Sequence, residues 1–497
     1  MRLLILILWV ALLGANINSS VADPDLWWHI TVGRWIIDHQ ALPQVDLWNA
    51  FSSADTWRAY SWLHEIVYAL IDRNFGVFGL WSAQLLLAIA IVATFVSVFS
   101  KLAADSFIGV LLGSAVAVAC FQNFSLRPQT VVWMLFAVSL LAANRARYSG
   151  VSWRIALGIL GIFCLWANSH ITTVIGIGAI FLWALNREKP ALAFKLACIA
   201  FLGTLITPYF GGEWLTFFSQ TGDPINMGSI AEFQPATIMR FGSALLIIMS
   251  ALLIAGVAKT PQFFSPPQLI LALILVCAGS AIVKFIPFAA ITLAALLSVY
   301  WRTLQAQKVD SAADPLSGEA ISLLLEKRTG LIEGIEKLRA LGSWFPTSGS
   351  AFLLFAMLAV TINSSSQSPM NTTAIPVAAV NFIKEHNLAP PLLNDFGRGG
   401  YVMYRMSDEH GVIAAQLKVP IDGRTNVNSP EIWKAYRAAV EGQAEWKKIL
   451  DLVKPNTILW RRDSPFVELL KSSGEWQEVF PKGSTREGGF VVLVRDP

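Results

Sequence analysis

Hydrophobic and polar residues follow one another along this chain in blocks. Crossing a hydrocarbon core takes about 20 apolar residues, with a range of roughly 17 to 25. Runs of that kind recur near residues 2–18, 76–98, 104–121, 129–144, 153–168, 170–186, 190–207, 242–258, 266–282, 285–301 and 348–362. The pattern predicts an α-helical polytopic membrane protein with about eleven transmembrane helices. Beyond about residue 375 the texture changes. Short β-like runs (Pro391–Asn394, Val419–Asp422, Thr457–Trp460, Phe490–Val494) alternate with helical stretches near 376–386, 430–440 and 443–453. That mixture predicts a small α/β domain. The expected organisation is a membrane domain over residues 1–365, with large polar loops at 19–61 and 208–241, followed by a soluble domain over 366–497. The segment 303–346 reads as a charged loop carrying an amphipathic helix near 317–341.

Composition supports this reading. The 497 residues are 55% hydrophobic and 14% charged, with mean hydropathy +0.55. Soluble domains carry about 25% charged residues. A net charge of +4 does not suggest a nucleic-acid partner. Cys120, Cys164, Cys198 and Cys277 all fall in apolar segments without metal-ligand spacing and read as buried thiols. The opening segment reads as a retained anchor, since no small-x-small cleavage site leads into a soluble chain.

Lys and Arg in short loops set the orientation. With eleven spans, Arg2, Lys101, Arg145, Arg147, Arg154, Arg187, Lys189, Lys259 and the basic residues of 302–339 share one side, the cytoplasm. Asp23, Asp25, Asp38, Asp46, Asp55, Glu65, Asp72, Glu213, Asp223 and Glu232 fall on the other, together with His29, His39, His64 and His170. An odd span count also places the C-terminal domain there. Polar chemistry is therefore expected on the external face.

The candidate residues cluster in the loops of that face. Asp23-Pro24-Asp25-Leu26-Trp27-Trp28-His29 opens the first one. Asp23 suits an N-cap and Pro24 a first helical position, predicting a helix from Pro24 to about Asp38 with Asp25 and His29 on one face. A second amphipathic helix is expected from Ser61, with His64 and Glu65 in its first turns. Arg127 and Lys284 lie in shorter turns between spans, where they would bind a phosphate or snorkel to lipid headgroups. Asn168 and His170 line the site or serve interhelical hydrogen bonding. In the C-terminal domain, Asp422 and Arg424 flank Gly423 after a strand, a pattern that suits turn stabilisation or sugar and phosphate binding.

With these features together, the chain resembles the GT-C superfamily of membrane glycosyltransferases, which includes protein O-mannosyltransferases, the aminoarabinose transferase of lipid A and oligosaccharyltransferases. The motif-level match is the acidic pair Asp23 and Asp25 in the first external loop. Asp-x-Asp-x-Trp-Trp-His with the following Gly33-Arg34-Trp35, Trp62-Leu63-His64-Glu65, Arg127-Pro128 and Ile421-Asp422-Gly423-Arg424 are similar to a group of bacterial multi-pass proteins. The resemblance implies a GT-C-like fold in a bacterial inner membrane, with the active face and the C-terminal domain extracytoplasmic. It implies a polyprenyl-phosphate-linked sugar as donor and a glycan, lipid or protein as acceptor. Asp25, with Asp23, would act as general base or as ligand to a divalent cation (magnesium or manganese), and His29 would orient Asp25 or share its proton. Arg127, Lys284 and Arg34 would hold the donor phosphate, and His64, Glu65, Asn168 and His170 would line the site, with core or interface packing the alternative for His64 and Glu65. Two other classes fit the same chain: a transporter or flippase of lipid-linked sugars, and a non-enzymatic membrane subunit for envelope assembly.

Overall fold

A computed structural model describes residues 21–53, 56–221, 233–237, 241–313, 370–424, 426–481 and 489–496. The predicted spans at 2–18 and 348–362 and the helix near 317–341 lie outside them.

Helix α1 (Leu26–His39) belongs to the first polar loop. Helix α2 (Trp62–Ala103) joins the predicted amphipathic helix to the apolar span expected at 76–98 through Gly76, whose φ of 58° breaks the helix. Only glycine takes that geometry without strain. The bundle continues through α3 (Ser106–Phe121), α4 (Pro128–Ser149), α5 (Trp153–Ala167), α6 (Thr173–Ala184) and α7 (Pro190–Thr204). After the short α8 (Gly212–Thr221) come α9 (Phe241–Lys259), α10 (Pro266–Ala281) and α11 (Ile286–Ala313). Four of these helices are long and apolar enough to cross a membrane outright, and five more are shorter apolar helices of 10–17 residues.

The bundle is apolar inside and out. Phe136, Trp166 and Phe288 interlock at its centre, with ring centroids 5.1 to 6.4 Å apart. Leu86, Leu157, Phe194, Ile254 and Leu273 lie exposed on its flanks. Such a surface suits lipid and would aggregate in water, so this is an integral membrane protein. Cys120 is buried as expected, whereas Cys198 and Cys277 sit exposed on the apolar flanks and Cys164 is intermediate. An apolar neighbourhood in sequence did not distinguish a core-facing from a flank-facing helix position.

At one end of the bundle, polar side chains tie helix termini together. Asp105 caps α3 and accepts from Trp301 Nε1, while Arg147 and Gln268 both donate to the carbonyl of Trp183. The loops at the other end meet the C-terminal part. That part contains α12 (Val377–Glu385), β1 (Leu392–Asn394), α13 (Gly399–Met406), α14 (Pro430–Val440), α15 (Lys448–Val453), β2 (Thr457–Arg461), α16 (Pro465–Ser472), β3 (Trp476–Phe480) and β4 (Phe490–Arg495). Its mixed sheet has the order β1-β2-β4-β3, with β1 and β2 parallel and the other pairs antiparallel.

The expected strand at Val419–Asp422 is not part of this sheet. It runs beside the first polar loop, where Val419 bridges Asn49 and Asn428 bridges Ser52. The strand Trp476–Phe480 was not anticipated, because only its first residue is buried and its polar side chains hide the pattern. The first polar loop and the C-terminal part share one hydrophobic core, in which Trp27 packs on Tyr401 and Tyr404 at 5.0 Å.

Candidate active site

Helix α1 begins at Leu26 with Asp25 as its N-cap, two residues later than a Pro24 start. Asp23 explains the shift. Its Oδ1 accepts the Asp25 backbone N–H at 2.8 Å, closing a turn ahead of the helix. Its Oδ2 accepts from Arg127 Nε at 2.6 Å. Arg127 Nη2 lies 3.1 Å from Asp25 Oδ2, so one guanidinium spans both carboxylates. The residue before a proline is driven into extended backbone. Arg127, before Pro128, sits at φ −122° and ψ 154° and so enters the site from the start of α4.

Asp25 and Arg127 border a cavity of about 250 Å³, together with His29, His170, Lys284 and, from the C-terminal part, Phe396, Gly423 and Arg424. Trp28, Ile171, Phe217, Phe233, Ile282 and Phe285 supply its apolar wall. Lys284 stands on a 3₁₀ turn, Val283–Phe285, that leads into α11. The turn is pinned by Val283 N–H donating to Gln234 O and by Asn123 Nδ2 donating to Val283 O. Lys284 Nζ also lies 5.3 Å from the Phe233 ring.

Two histidines contribute neutral rings. His29 Nδ1 lies 3.2 Å from Glu65 Oε1, so a buried carboxylate on α2 orients this imidazole. Burial, reinforced by the charges of Arg127 and Arg424, holds the His29 pKa well below the usual histidine range. His170 Nδ1 pairs with Thr172 Oγ1 at 3.0 Å. Burial and then the charge of Lys284 depress its pKa in the same direction.

Several expected site residues lie elsewhere. Arg34 donates to Asp72 Oδ2 at 2.7 Å and stacks 4.5 Å from the Tyr404 ring, outside the cavity lining. It joins α1 to α2 and α13, because Asp72 provides a nearly buried acid one helix away. Asn168 accepts from Trp62 Nε1 and donates to the carbonyls of Cys164 and Ile206, so it ties helices together. His64 packs 5.9 Å from Tyr68 and does not line the cavity, and Glu65 reaches the cavity through His29.

Asp422 and Arg424 are more than a turn. Arg424 Nε and Nη2 donate to the two oxygens of Asp422 at 2.8 and 2.9 Å, Nη1 donates to Asp46, and Trp57, Trp48 and Trp28 surround the guanidinium. Gly423 between them is forced by packing: a Cβ there would lie 2.0 Å from Asp25 Oδ1. A Cβ at Gly400 would lie 2.7 Å from the Pro24 carbonyl. A C-terminal loop and the first turn of α13 thus close on the Asp-Pro-Asp segment. Sequence reasoning missed Gly423 and Asp46. A glycine between two charged residues was the available signal for the first, and no local signal marks the second.

The acidic pair does not fit a bridging metal. One Asp23 oxygen is taken by a backbone N–H, and the oxygens facing each other across the pair are held by Arg127. Among the described residues, no group of three His, Cys, Asp or Glu side chains is placed to hold a metal ion.

No protein-family model matches the chain, and no curated protein matches it. Solved structures do. The oligosaccharyltransferase of Archaeoglobus fulgidus, tethered with an acceptor peptide, superposes with a TM-score of 0.50 at 11% identity, covering 93% of this chain and 69% of that one. ArnT from Cupriavidus metallidurans, bound to undecaprenyl phosphate, superposes with a TM-score of 0.49 at 13% identity, covering 99% and 96%. At such identities the oligosaccharyltransferase match speaks for architecture. The chain shares the fold of that oligosaccharyltransferase, and in it a membrane helix bundle presents polar loops to a small C-terminal sheet.

Proposed function

We propose that this protein transfers a sugar from a polyprenyl-phosphate carrier to an acceptor hydroxyl or amine at the external face of the membrane, in a bacterial inner membrane. The observation that carries the reading is that Asp25, Arg127 and Lys284 border one cavity at the loop end of an apolar bundle. The fold shared with a membrane oligosaccharyltransferase supports it.

The donor's lipid chain would lie along the bundle while its phosphate meets Lys284 and the edge of Arg127. Asp25 takes the proton of the acceptor O–H or N–H. The freed electron pair forms a bond to the anomeric carbon, and the bond from that carbon to the phosphate oxygen breaks with its electrons on the oxygen. The products are the glycosylated acceptor and polyprenyl phosphate. Negative charge grows on the leaving phosphate, where fixed cations contribute most. His29 and His170, held neutral by burial, offer hydrogen bonds to sugar hydroxyls without adding charge.

A transporter of the same lipid would place its polar site near the bilayer midplane on broken helices. Here the cavity is lined largely by loops at helix ends. The test is transfer of radiolabelled sugar from polyprenyl-phosphate donors by the purified full chain, wild type against Asp25→Asn. Product formed by the wild type and lost in a folded Asp25→Asn protein is expected. Equal product from both, or donor flux across vesicles without any covalent product, overturns the proposal.

A further inference from the structure

Asp23 and Asp25 form the kind of carboxylate pair that holds a divalent cation in many transferases, yet a guanidinium already occupies the position between them. We infer that Arg127 is the site's built-in counter-ion, that the acidic pair binds no divalent metal, and that the transfer proposed above, on which this last clause rests, is metal-independent.

Divalent cations coordinate carboxylate oxygens at about 2.0–2.6 Å. A cation bridging Asp23 Oδ2 and Asp25 Oδ2 would have to take the place of the Arg127 guanidinium. Arg127 reaches the first through Nε at 2.6 Å and the second through Nη2 at 3.1 Å. The planar fork of arginine matches two acceptors at once, which a lysine or a hydrated ion does not reproduce. Asp23 Oδ1 cannot turn to a metal without releasing the Asp25 N–H, the bond that sets the turn before α1. The Arg127 side chain also starts from a fixed point beside the pair, because Pro128 holds its backbone in the extended region and its peptide N–H is bonded to Ser125 O at 2.8 Å.

The experiment is Mn²⁺ binding to the detergent-purified full chain, read by electron paramagnetic resonance and calorimetry, with no sugar substrate present. Wild type and Asp25→Asn should bind Mn²⁺ identically, since no ion uses that carboxylate. Arg127→Met should gain one Mn²⁺ per chain, and the gain should vanish in Arg127→Met combined with Asp23→Asn. A wild-type site of one Mn²⁺ per chain that Asp25→Asn abolishes overturns the inference, and so does a folded Arg127→Met protein that gains nothing. The wild-type and Asp25→Asn comparison decides the matter even if Arg127→Met fails to fold. The transfer reading is judged separately. If sugar transfer is found but is abolished by chelation and restored by Mn²⁺, the counter-ion inference fails while the transferase reading stands. If no transfer is found and Mn²⁺ binding follows the expected pattern, the reverse holds.

Discussion

The cavity is bordered by two arginines, each held between two aspartates, and the clusters differ in burial. Arg424 is 1% exposed and its partners Asp46 and Asp422 are 0% exposed, enclosed by three tryptophans. Arg127 is 16% exposed, with Asp23 at 3% and Asp25 at 22%. Arg424 and Asp46 lie 378 residues apart, so the first cluster staples the first polar loop to the C-terminal part. Burial works against the charge of Asp422, yet the Arg424 guanidinium and its hydrogen bonds hold that carboxyl below its ordinary range. The same three side chains therefore serve opposite ends according to solvent access. Where all are enclosed, the charges are locked into structure. Where one carboxylate reaches a cavity, it is available for chemistry.

The strongest way to break this contrast is to remove each arginine in turn. Losing one partner of a buried ion pair costs about 3–5 kcal/mol, because the remaining charge is uncompensated. Arg424→Met leaves two enclosed carboxylates and should lower stability by that amount or abolish folding, as read by thermal unfolding in detergent. Arg127→Met, with Asp25 reaching solvent, should lose clearly less. Equal losses would mean that burial does not separate the two clusters. The reverse asymmetry should hold for activity. General base catalysis contributes about 10²–10⁴-fold, so Asp25→Asn should cut sugar transfer by that factor with little change in unfolding temperature.

Gly423 joins the two clusters, and its replacement should act through Asp25. A Cβ at position 423 would lie 2.0 Å from Asp25 Oδ1. Forcing extra atoms into a packed site costs about 1–3 kcal/mol. Gly423→Ala should therefore destabilise the protein on that scale, and most of the loss should disappear in an Asp25→Ala background, where the clashing oxygen is gone. An additive double mutant would show that the strain lies elsewhere, since residues in contact normally couple.

The sequence revealed the elements that border this site better than the contacts inside it. Apolar runs of spanning length leave few places for polar residues, so Asp25, Arg127, His170 and Lys284 stood out, and all four border one cavity. Side-chain pairing was not legible in the same way. Arg34 looks like a free cation until α2 brings Asp72, 38 residues away, against it. Asn168 suits either the site or interhelical hydrogen bonding, and only its bonds to Trp62 and Ile206 show the second. Ile421-Asp422-Gly423-Arg424 suggested a strand and turn, and its local geometry does include the bond from the Arg424 N–H to Asp422 Oδ1. What local sequence could not supply was Asp46, because a buried charge is compensated by whichever acid the fold brings near, at any separation along the chain.

A third cluster extends the contrast to full solvent exposure and has the smallest expected effect. Arg73 donates to Asp38 at 2.7 Å and to the Glu409 carbonyl, while His410 Nδ1 lies 3.0 Å from Asp38 Oδ2, so α1, α2 and the C-terminal part meet again. Here Arg73 is 41% and His410 is 56% exposed. The hydrogen bond to Asp38, then its charge with those of Glu409 and Asp408, raises the His410 pKa above the ordinary 6.5. A raised folded-state pKa means that the native protein binds the proton more tightly than the unfolded chain. The stabilisation is thus complete below pH 6.5 and is lost as pH rises through the raised value. His29 has the opposite sign: its depressed pKa makes its contribution present above 6.5 and lost as pH falls. The difference in unfolding temperature between wild type and His410→Ala isolates the first effect, and it should shrink between pH 6 and 8. High salt should erase it, since screening at 1 M reaches down to about 3 Å. Arg424→Met should keep its effect under the same salt, because its charges lie beyond the reach of the ions. A salt-resistant His410 effect would break the link between burial and role on which the comparison of the arginines depends.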